Sequence, residues 1–454
     1  MGLIDQMRED WNRRARQDAY YYAAFGRQNQ DDREFFASAA DVVPTLEREL
    51  VRLPEPPGAA RRALEIGCGP GRLMLPMSRY FIEIHGVDIS EEMAAVARQR
   101  LREIPHAHVH VTSGDGLEAF ADGFFDFVYS YIVFQHIPDP DIVLRYLGEA
   151  RRVLKNGGIL CCQLRGAPPL PSEMRREAPT WTGCFFTGEQ MVRFARENNF
   201  HLVALSGLET QYMWTTWLKP APAGAVESAS RPDLSRVTLK AVTAASGGEA
   251  RAPARGPDAA VSLWIDGLPS RGHLGNLEAA FHHTRARGCY ISPITESGGC
   301  QLNVRLPEGL SPGLTPVALY FEGRALGEPK TIEIAPPPPR APRIVSVSDG
   351  LNIASKYRIE MGGVKVTVED VERPEDVLFT VDGRPAEYLQ FERKDPITST
   401  FEFAFHLSRH TRLGTRTLAV RASGLDLTPV SIEIAGLRER HAAPKSGARQ
   451  TQNG

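Results

Sequence analysis

The spacing of apolar and polar positions divides the chain into stretches of different period. From Asp5 to Phe36 the period is helical, with Trp11, Ala15, Ala19 and Ala23 on one face. A helix broken near Gly26 is predicted there, carrying an aromatic cluster at Tyr20-Tyr21-Tyr22-Phe25. A second helix is expected from Asp41, a good cap, to Leu53, ended by Pro54-Glu55-Pro56-Pro57-Gly58. From Ala63 to Leu164 short apolar runs alternate with amphipathic ones. Strands are predicted at Ala63–Ile66, Ile84–Val87, Val109–Thr112, Phe125–Tyr131 and Gly158–Gln163. Helices are predicted at Arg72–Arg79, Ser90–Leu101 and Asp139–Leu154, with a turn near Leu117. That order makes a parallel α/β sheet with helices on both faces. A Pro-rich loop from Arg165 to Gly183 holds Trp181, and Thr187 caps a helix from Gly188 to Asn198. His201–Leu208 and Gln211–Lys219 then read as a closing antiparallel hairpin.

The period changes after Pro220–Arg231, an Ala/Pro/Gly/Ser linker. Short alternating runs follow at Val237–Val242, Ala259–Ile265, Cys300–Val304, Thr315–Phe321 and Thr331–Ile334. Beyond a stiff spacer at Pro336–Pro339 come Arg343–Val347, Val364–Val368, Val377–Val381, Thr400–Phe405, Thr415–Arg421 and Thr428–Ile434. The two β segments read as copies. Gly313 to Leu319 leads to Thr331-Ile332-Glu333-Ile334, and Gly414 to Val420 leads at nearly equal spacing to Val430-Ser431-Ile432-Glu433-Ile434. Two immunoglobulin-like sandwiches are expected, loosely resembling bacterial modules of the IPT/TIG kind. The expected domains are residues 1–220, 235–335 and 341–436, with a polar tail over 437–454 expected to be disordered.

At 454 residues the chain is too long for one ordinary core. A hydrophobic content of 42% and a charged content of 24% belong to a soluble globular protein. The net charge of -2, with both signs mixed along the chain, gives a nucleic-acid groove no support. No apolar run approaches membrane-spanning length. Met1 to Trp11 is amphipathic and charged, unlike a signal peptide, so a cytoplasmic protein with reduced thiols is expected. Adjacent Cys161 and Cys162 should point to opposite faces of a buried strand. Cys289 and Cys300 could pair, though nothing local demands it. His282-His283 with these two cysteines lacks tidy ligand spacing, and no metal is assigned.

Chemistry concentrates at Leu64-Glu65-Ile66-Gly67-Cys68-Gly69-Pro70-Gly71-Arg72, an apolar run feeding glycines at alternate positions. Glycine there permits closed backbone angles and leaves room for a ligand, and the next helix offers free N–H groups. The following strand, Ile84-His85-Gly86-Val87-Asp88, ends in an acid where a doubly wound sheet meets ribose hydroxyls. Arg72 stands where the dinucleotide fingerprint wants its last glycine, so NAD(P) and FAD fit poorly.

The nonapeptide resembles the first motif of class I S-adenosylmethionine-dependent methyltransferases, and further matches follow in order. Asp88-Ile89-Ser90 resembles the second motif, and Ser113-Gly114-Asp115-Gly116 the acidic loop after the third strand. Phe125 to Ser130, running on to His136-Ile137-Pro138, resembles the fourth. Leu147 to Leu160, with Leu154-Lys155-Asn156-Gly157-Gly158, resembles the helix, turn and fifth strand. The resemblance covers roughly Asp41 to Lys219 and implies methyl transfer from S-adenosylmethionine to a small-molecule or carbohydrate-type oxygen or nitrogen. It implies that Gly67, Gly69 and Gly71 pass the methionine part, that Glu65 supports that end, and that Asp88 receives the ribose hydroxyls. It also places Asp115 on the adenine amino group, Ile89 and Gly116 beside the ring, and the Ser130 carbonyl at the amino-acid end.

Several residues carry two readings. His136, after the fourth strand, could take a proton from a hydroxyl or amine acceptor, or be a structural histidine ahead of Pro138. Tyr20 to Tyr22 could form a lid over the cofactor, whereas Trp11 reads as glue between helix and core. Arg14 and Arg175-Arg176 could meet an anionic substrate, or lie on solvated surface. The acceptor pocket is expected between the N-terminal helix, the Tyr131–His136 edge and the Arg165–Gly183 loop. Enzymes that methylate nucleic-acid amino groups carry Asn or Asp followed by Pro-Pro-Tyr or Pro-Pro-Phe after the fourth strand, where Tyr129-Ser130-Tyr131-Ile132 stands here. The β modules could contact a glycan, a protein partner or a second copy. The competing class is a binding or scaffold protein that keeps the fold without turnover.

Overall fold

The computed structural model describes residues 2–24, 29–54, 61–168, 180–221, 234–256, 258–337, 339–350, 356–360, 362–395, 398–408 and 410–435. The expected break near Gly26, Arg175-Arg176, most of the Arg165–Gly183 loop, the 220–231 linker and the tail lie wholly or largely outside these residues. The chain packs as two compact units, one reaching to Ala341 and including Glu392–Thr400, the other formed by the remainder.

Helix α1 (Leu3–Ala24) is interrupted at Asp18, whose extended backbone lets its carboxylate accept the Tyr21 N–H at 3.0 Å. After α2 (Asp32–Ala37) comes α3 (Val43–Glu49). Its N-cap is Val42, which makes no side-chain cap; the expected start at Asp41 is corrected because Ser38–Asp41 turns as a 3₁₀ segment. Then follow β1 (Arg62–Ile66), α4 (Met74–Met77), β2 (Glu83–Asp88), α5 (Glu91–Arg100), β3 (Ala107–Val111), β4 (Phe125–Ser130), α6 (Pro140–Val153) and β5 (Leu154–Leu164). The helix expected at Arg72–Arg79 is two short pieces, α4 and a 3₁₀ turn at Ser78–Tyr80. The positive φ of Gly71 delays the start, and Pro76 sits inside the first turn. Last come α7 (Gly188–Glu197), with the capping box of Thr187 and Gln190, and the hairpin β6 (His201–Ser206) and β7 (Met213–Leu218).

The strands lie in the order β3-β2-β1-β4-β5-β7-β6, parallel from β3 to β5 and antiparallel beyond. Strand order therefore reverses between β1 and β4. A ligand crevice opens beside the carboxyl ends of the strands at such a point. Alternate side chains feed two cores: Val128, Leu160 and Cys162 one, Phe127, Tyr129, Ile159 and Cys161 the other. The six cysteines are free.

The first β module contains β8 (Thr238–Ala244), β9 (Arg251–Pro253), β10 (Ala260–Asp266), β11 (Leu277–Phe281), β12 (Thr284–Ile291), β13 (Cys300–Arg305), β14 (Gly313–Phe321) and β15 (Arg324–Ala335). Strands β9, β11 and β12 were not expected from the sequence. His282-His283 is the two-residue turn that joins β11 to β12, with His282 at φ 52 and Phe281 opposite Thr284. That turn usually carries Asn-Gly, so its strands were hidden. β12 serves two layers, pairing with β11 through Thr284–Arg287 and with β13 through Gly288–Ile291.

This module shares the hydrophobic core of the α/β domain, from Leu202 and Trp217 to Leu274 and Ile291. Tyr290 pairs with Ala204 on β6, and the Leu274 N–H donates to the Leu202 carbonyl at 2.9 Å. Arg52 closes the junction: it ion-pairs with Glu49 at 2.7 Å, donates to the Ile291 carbonyl at 2.8 Å and lies 4.8 Å over the Tyr290 ring.

The second unit, with Glu392–Asp395 and Thr400 completing two of its strands, holds β16 (Arg343–Asp349), β17 (Arg358–Ile359), β18 (Gly363–Glu369), β19 (Leu378–Val381), β20 (Arg384–Pro385), β21 (Glu387–Asp395), β22 (Thr400–His406), β23 (Gly414–Ala422), β24 (Leu425–Asp426) and β25 (Val430–Ile434) in two sheets. Their orders are β16-β18-β22-β21 and β17-β25-β23-β19-β20, with β24 on β23. The repeat in the sequence is a repeat in register. Gly313 faces Ile334 and Thr315 faces Ile332; Gly414 faces Ile434 and Arg416 faces Ile432. Each last strand also takes a short parallel partner, and the pairs Arg251–Glu333 and Arg358–Glu433 form ion pairs at 3.2 and 3.0 Å.

Candidate active site

The crevice at the β1/β4 reversal is a cleft with about 880 Å³ of empty space, its open mouth included. Its floor is the glycine loop. Gly67, Gly69 and Gly71 all have positive φ, at 71°, 50° and 84°. A Cβ at Gly67 would meet the Val133 side chain at 2.3 Å, whereas one at Gly69 would meet, among the described residues, only Ala23, at 3.7 Å. Gly67 is therefore needed for packing, and Gly69 leaves the loop surface bare toward the cleft. Gly71 packs against Leu101 instead and does not line the cleft.

Two carboxylates sit behind this loop. Asp88, the last residue of β2, accepts the N–H groups of Gly69 and Ser90, each at 2.8 Å. Burial pushes its pKa up to about 6, against the opposing pull of these donors and the Ile89 N–H. Glu65 on β1 is buried and accepts the Tyr129 hydroxyl at 3.0 Å. Burial raises it to about 8, with Tyr129 and Arg72 pulling down. Over the pH range 4.5 to 8 the folded chain therefore holds a proton on Glu65 that the unfolded chain has lost, so stability falls as pH rises through this window. Glu65→Gln is expected to remove that component. Melts at pH 5 and pH 8.5 should show a smaller drop for the variant than for the parent; an equal drop would contradict the assignment.

Helix α1 forms the roof. Met7, Trp11, Tyr22 and Ala23 line the cleft, and the helix is tied down at its edges. The Ser90 hydroxyl caps α5 and donates to Asn12 at 2.7 Å; Arg8 donates to the Ser113 carbonyl at 2.7 Å. Of the tyrosine cluster only Tyr22 lines the cleft. Tyr20 stacks on Phe35 and donates to Asp32 at 2.7 Å. Trp11 does more than attach helix to core: it stands edge-on to His136 at 5.4 Å and beside Trp181 at 6.2 Å. Arg14 is buried, not solvated, with its guanidinium 4.8 Å from Trp11 and 5.0 Å from Trp181.

His136 lines the cleft too, buried, with its Nδ1 bonded to the Trp181 carbonyl. A carbonyl can only accept, so Nδ1 carries the proton and Nε2 holds the lone pair. Burial lowers its pKa to about 4. The remaining predicted residues divide. Ile89 lines the cleft. Asp115 turns to Arg145 on α6, and the wall near it is made by Thr112 and Gly114, which the sequence reading did not assign. Gly116 accepts the Thr112 hydroxyl through its carbonyl at 2.8 Å, and Ser130 is fully buried with its hydroxyl on the Ile66 carbonyl at 2.9 Å. Ile132, Val133 and Arg72 also line the cleft.

Residues 64–162 match the family model described as Methyltransferase domain. The chain carries a methyltransferase domain. It is similar to a ubiquinone biosynthesis O-methyltransferase of Ruegeria sp. (strain TM1040), 33% identical over 142 residues, covering 30% of this chain and 51% of that protein. A demethylmenaquinone methyltransferase of Staphylococcus aureus (strain JH9) is 32% identical over 114 residues, covering 24% of this chain and 45% of that protein. The chain thus spans about half the length of the curated relatives it matches. Among solved structures, a geranyl diphosphate C-methyltransferase of Streptomyces coelicolor A3(2) is 16% identical, with a TM-score of 0.37, over 48% of this chain and 98% of that one.

S-adenosylmethionine is the cofactor of this domain, and the residues present fit it. The Asp88 carboxylate offers about four lone-pair sites, more than the three N–H groups around it occupy, at the strand end where ribose hydroxyls would lie. Glu65 and the bare loop at Gly69 suit the methionine end, with no Cβ in its way.

Proposed function

We propose that this chain transfers the methyl group of S-adenosylmethionine to an oxygen or nitrogen of a small-molecule acceptor, with a planar hydroxylated ring as the best-fitting class. The observation that carries the reading is the composition of the cleft beyond the cofactor residues. Trp11, Tyr22, Tyr131 and the neutral His136 line it, and Trp181 packs against Trp11, Tyr22 and His136. Aromatic walls suit a flat acceptor, and a neutral imidazole can receive its proton. Methyl transfer depends chiefly on alignment, with the acceptor atom behind the methyl, and a walled cleft supplies that. The names of the Ruegeria and Staphylococcus relatives, which concern quinones, agree with a ring acceptor. The scaffold reading has less support, since Glu65, Asp88 and the glycine loop are intact. Incubation with methyl-labelled S-adenosylmethionine and a panel of phenolic, amine and sugar acceptors tests the proposal. Label in a phenolic product is expected, and no transfer to any acceptor would favour the scaffold reading.

We also read the β modules as immunoglobulin-like. Support comes from the second unit's two sheets, a four-stranded one and one whose final strands β23 and β25 carry a short parallel strand, β17, at the edge. Residues 341–435 expressed alone are expected to unfold cooperatively in urea; a non-cooperative transition would count against an independent sandwich.

A further inference from the structure

One residue of the cleft wall has a backbone its side chain opposes. Ile132 has φ 56, a left-handed conformation that is an outlier for a β-branched residue. This turn sends its neighbours to opposite sides. Tyr131 stacks on Trp214 at 5.3 Å and lies beneath Arg72, while Val133 packs on Gly67. The 3₁₀ turn that carries His136 follows directly, at Phe134–His136.

What holds the turn is Gln163 on β5, a fully buried polar side chain that the mechanism above does not use. Its Oε1 accepts the Ile132 N–H at 3.0 Å. Its Nε2, with two hydrogens to share, lies within hydrogen-bond distance of three acceptors: the carbonyls of Leu164 and Gln211 at 2.8 and 2.7 Å, and Gln135 Oε1 at 3.0 Å. Gln135, also buried, points its own amide nitrogen at His136 Nε2, 3.4 Å away, and its carbonyl accepts the Gly183 N–H at 2.7 Å beside Trp181. The Gln163 amide thus reaches the Nε2 edge of the imidazole through the Gln135 side chain, while the Trp181 carbonyl holds the Nδ1 edge. Every polar atom of the Gln163 side chain is satisfied, so its orientation is fixed and the network has one arrangement.

We propose that Gln163 is a positioning residue for methyl transfer: it clamps Ile132 in its left-handed turn and, through Gln135, fixes the orientation of the His136 ring at its Nε2 edge. The role rests on the methyltransferase reading for its purpose, but the clamp can be tested apart from turnover.

The test compares the full chain with Gln163→Leu, which keeps the bulk and removes both amide functions. Binding of S-adenosylhomocysteine is followed by calorimetry, and the His136 ring by long-range ¹⁵N–¹H correlation without ligand. The expected results are about tenfold weaker binding, since the left-handed turn at Ile132 loses the acceptor that holds it, and a shifted His136 Nε2 resonance as the Gln135 amide leaves that nitrogen, with the Nδ1–H tautomer kept by the Trp181 carbonyl. Ile132→Gly provides the control, because glycine adopts φ 56 without strain. In that background Gln163→Leu is expected to change binding by less than about threefold, as coupled residues do in a double-mutant cycle. If Gln163→Leu alone does not fold, the double variant carries the test, and its failure to fold would overturn the proposal. A folded Gln163→Leu protein with a lower melting temperature but unchanged affinity and an unchanged His136 Nε2 resonance would also overturn it. Failure of the parent chain to bind S-adenosylhomocysteine would instead defeat the methyltransferase reading, and the His136 Nε2 resonance would still decide the clamp.

Discussion

Asp88→Ala is expected to weaken S-adenosylmethionine binding by about 10- to 150-fold, the equivalent of about 1.5–3 kcal/mol for charge-assisted hydrogen bonds lost from a buried contact. Two losses act together. The ribose hydroxyls lose their acceptor, and the N–H groups of Gly69 and Ser90 lose the carboxylate that orders the loop and the start of α5. The pH dependence separates this role from a general weakening. In the cofactor-free protein burial holds the Asp88 pKa near 6, so at lower pH the carboxyl is protonated and has less to offer a hydroxyl donor. Binding favours the ionised form, so parental affinity should rise with pH up to about 6 and then level. The alanine variant should lack that rise. Calorimetry at pH 5 and pH 7.5 reads both effects, and equal affinities for parent and variant at pH 7.5 would refute the ribose assignment.

The features legible in the sequence are those set by local backbone demands. Alternate glycines after an apolar run, and an acid closing the next strand, need no tertiary information to be placed, and Glu65, Gly67, Gly69 and Asp88 do meet at one cleft. Residues whose role depends on a distant partner were less readable. Trp11 shares its predicted helical face with Ala15, Ala19 and Ala23, so periodicity could not tell a cleft-lining ring from a packing one; its place in the cleft and its contact with Trp181 decide that. Asp115 sits in a turn that matches a motif, but its carboxylate is taken by Arg145 from α6. Gln163 is one polar residue in a buried strand, and its meaning appears only with the backbone angle of Ile132. The β modules show the same division. The Gly-to-Ile registers were visible as a repeat, whereas β12 was hidden by a His-His turn and by its pairing in two layers. Nothing in the composition of the 220–231 linker foretold that the first module shares the α/β core.

His136→Ala should lower turnover of the preferred acceptor by about 10²-fold while leaving cofactor affinity within about twofold. General-base contributions run from about 10² to 10⁴, and two observations set this one at the low end. Burial holds the imidazole pKa near 4, with Arg14 and Arg165 adding to the depression, so its basicity is weak. The Gln135 amide nitrogen also lies 3.4 Å from the lone pair that must take the proton. The same depression predicts a pH signature. An ordinary histidine base would give an inflection near pH 6.5, but here the neutral form persists down to about pH 4, so the parental rate should show no His136 inflection above pH 5. Stability carries the matching sign. Between pH 4 and 6.5 the unfolded chain binds a proton at this position that the folded chain refuses, so stability rises with pH through that window and is lost on acidification. His85, His201 and His273 are depressed in the same direction, so the informative quantity is the difference between parent and variant melts at pH 5 and pH 7. A base role predicts lower turnover per folded molecule at every pH above 5, with kcat reduced more than KM is raised. A purely structural histidine predicts a lower melting temperature with turnover per folded molecule unchanged, and that result would remove His136 from the chemistry.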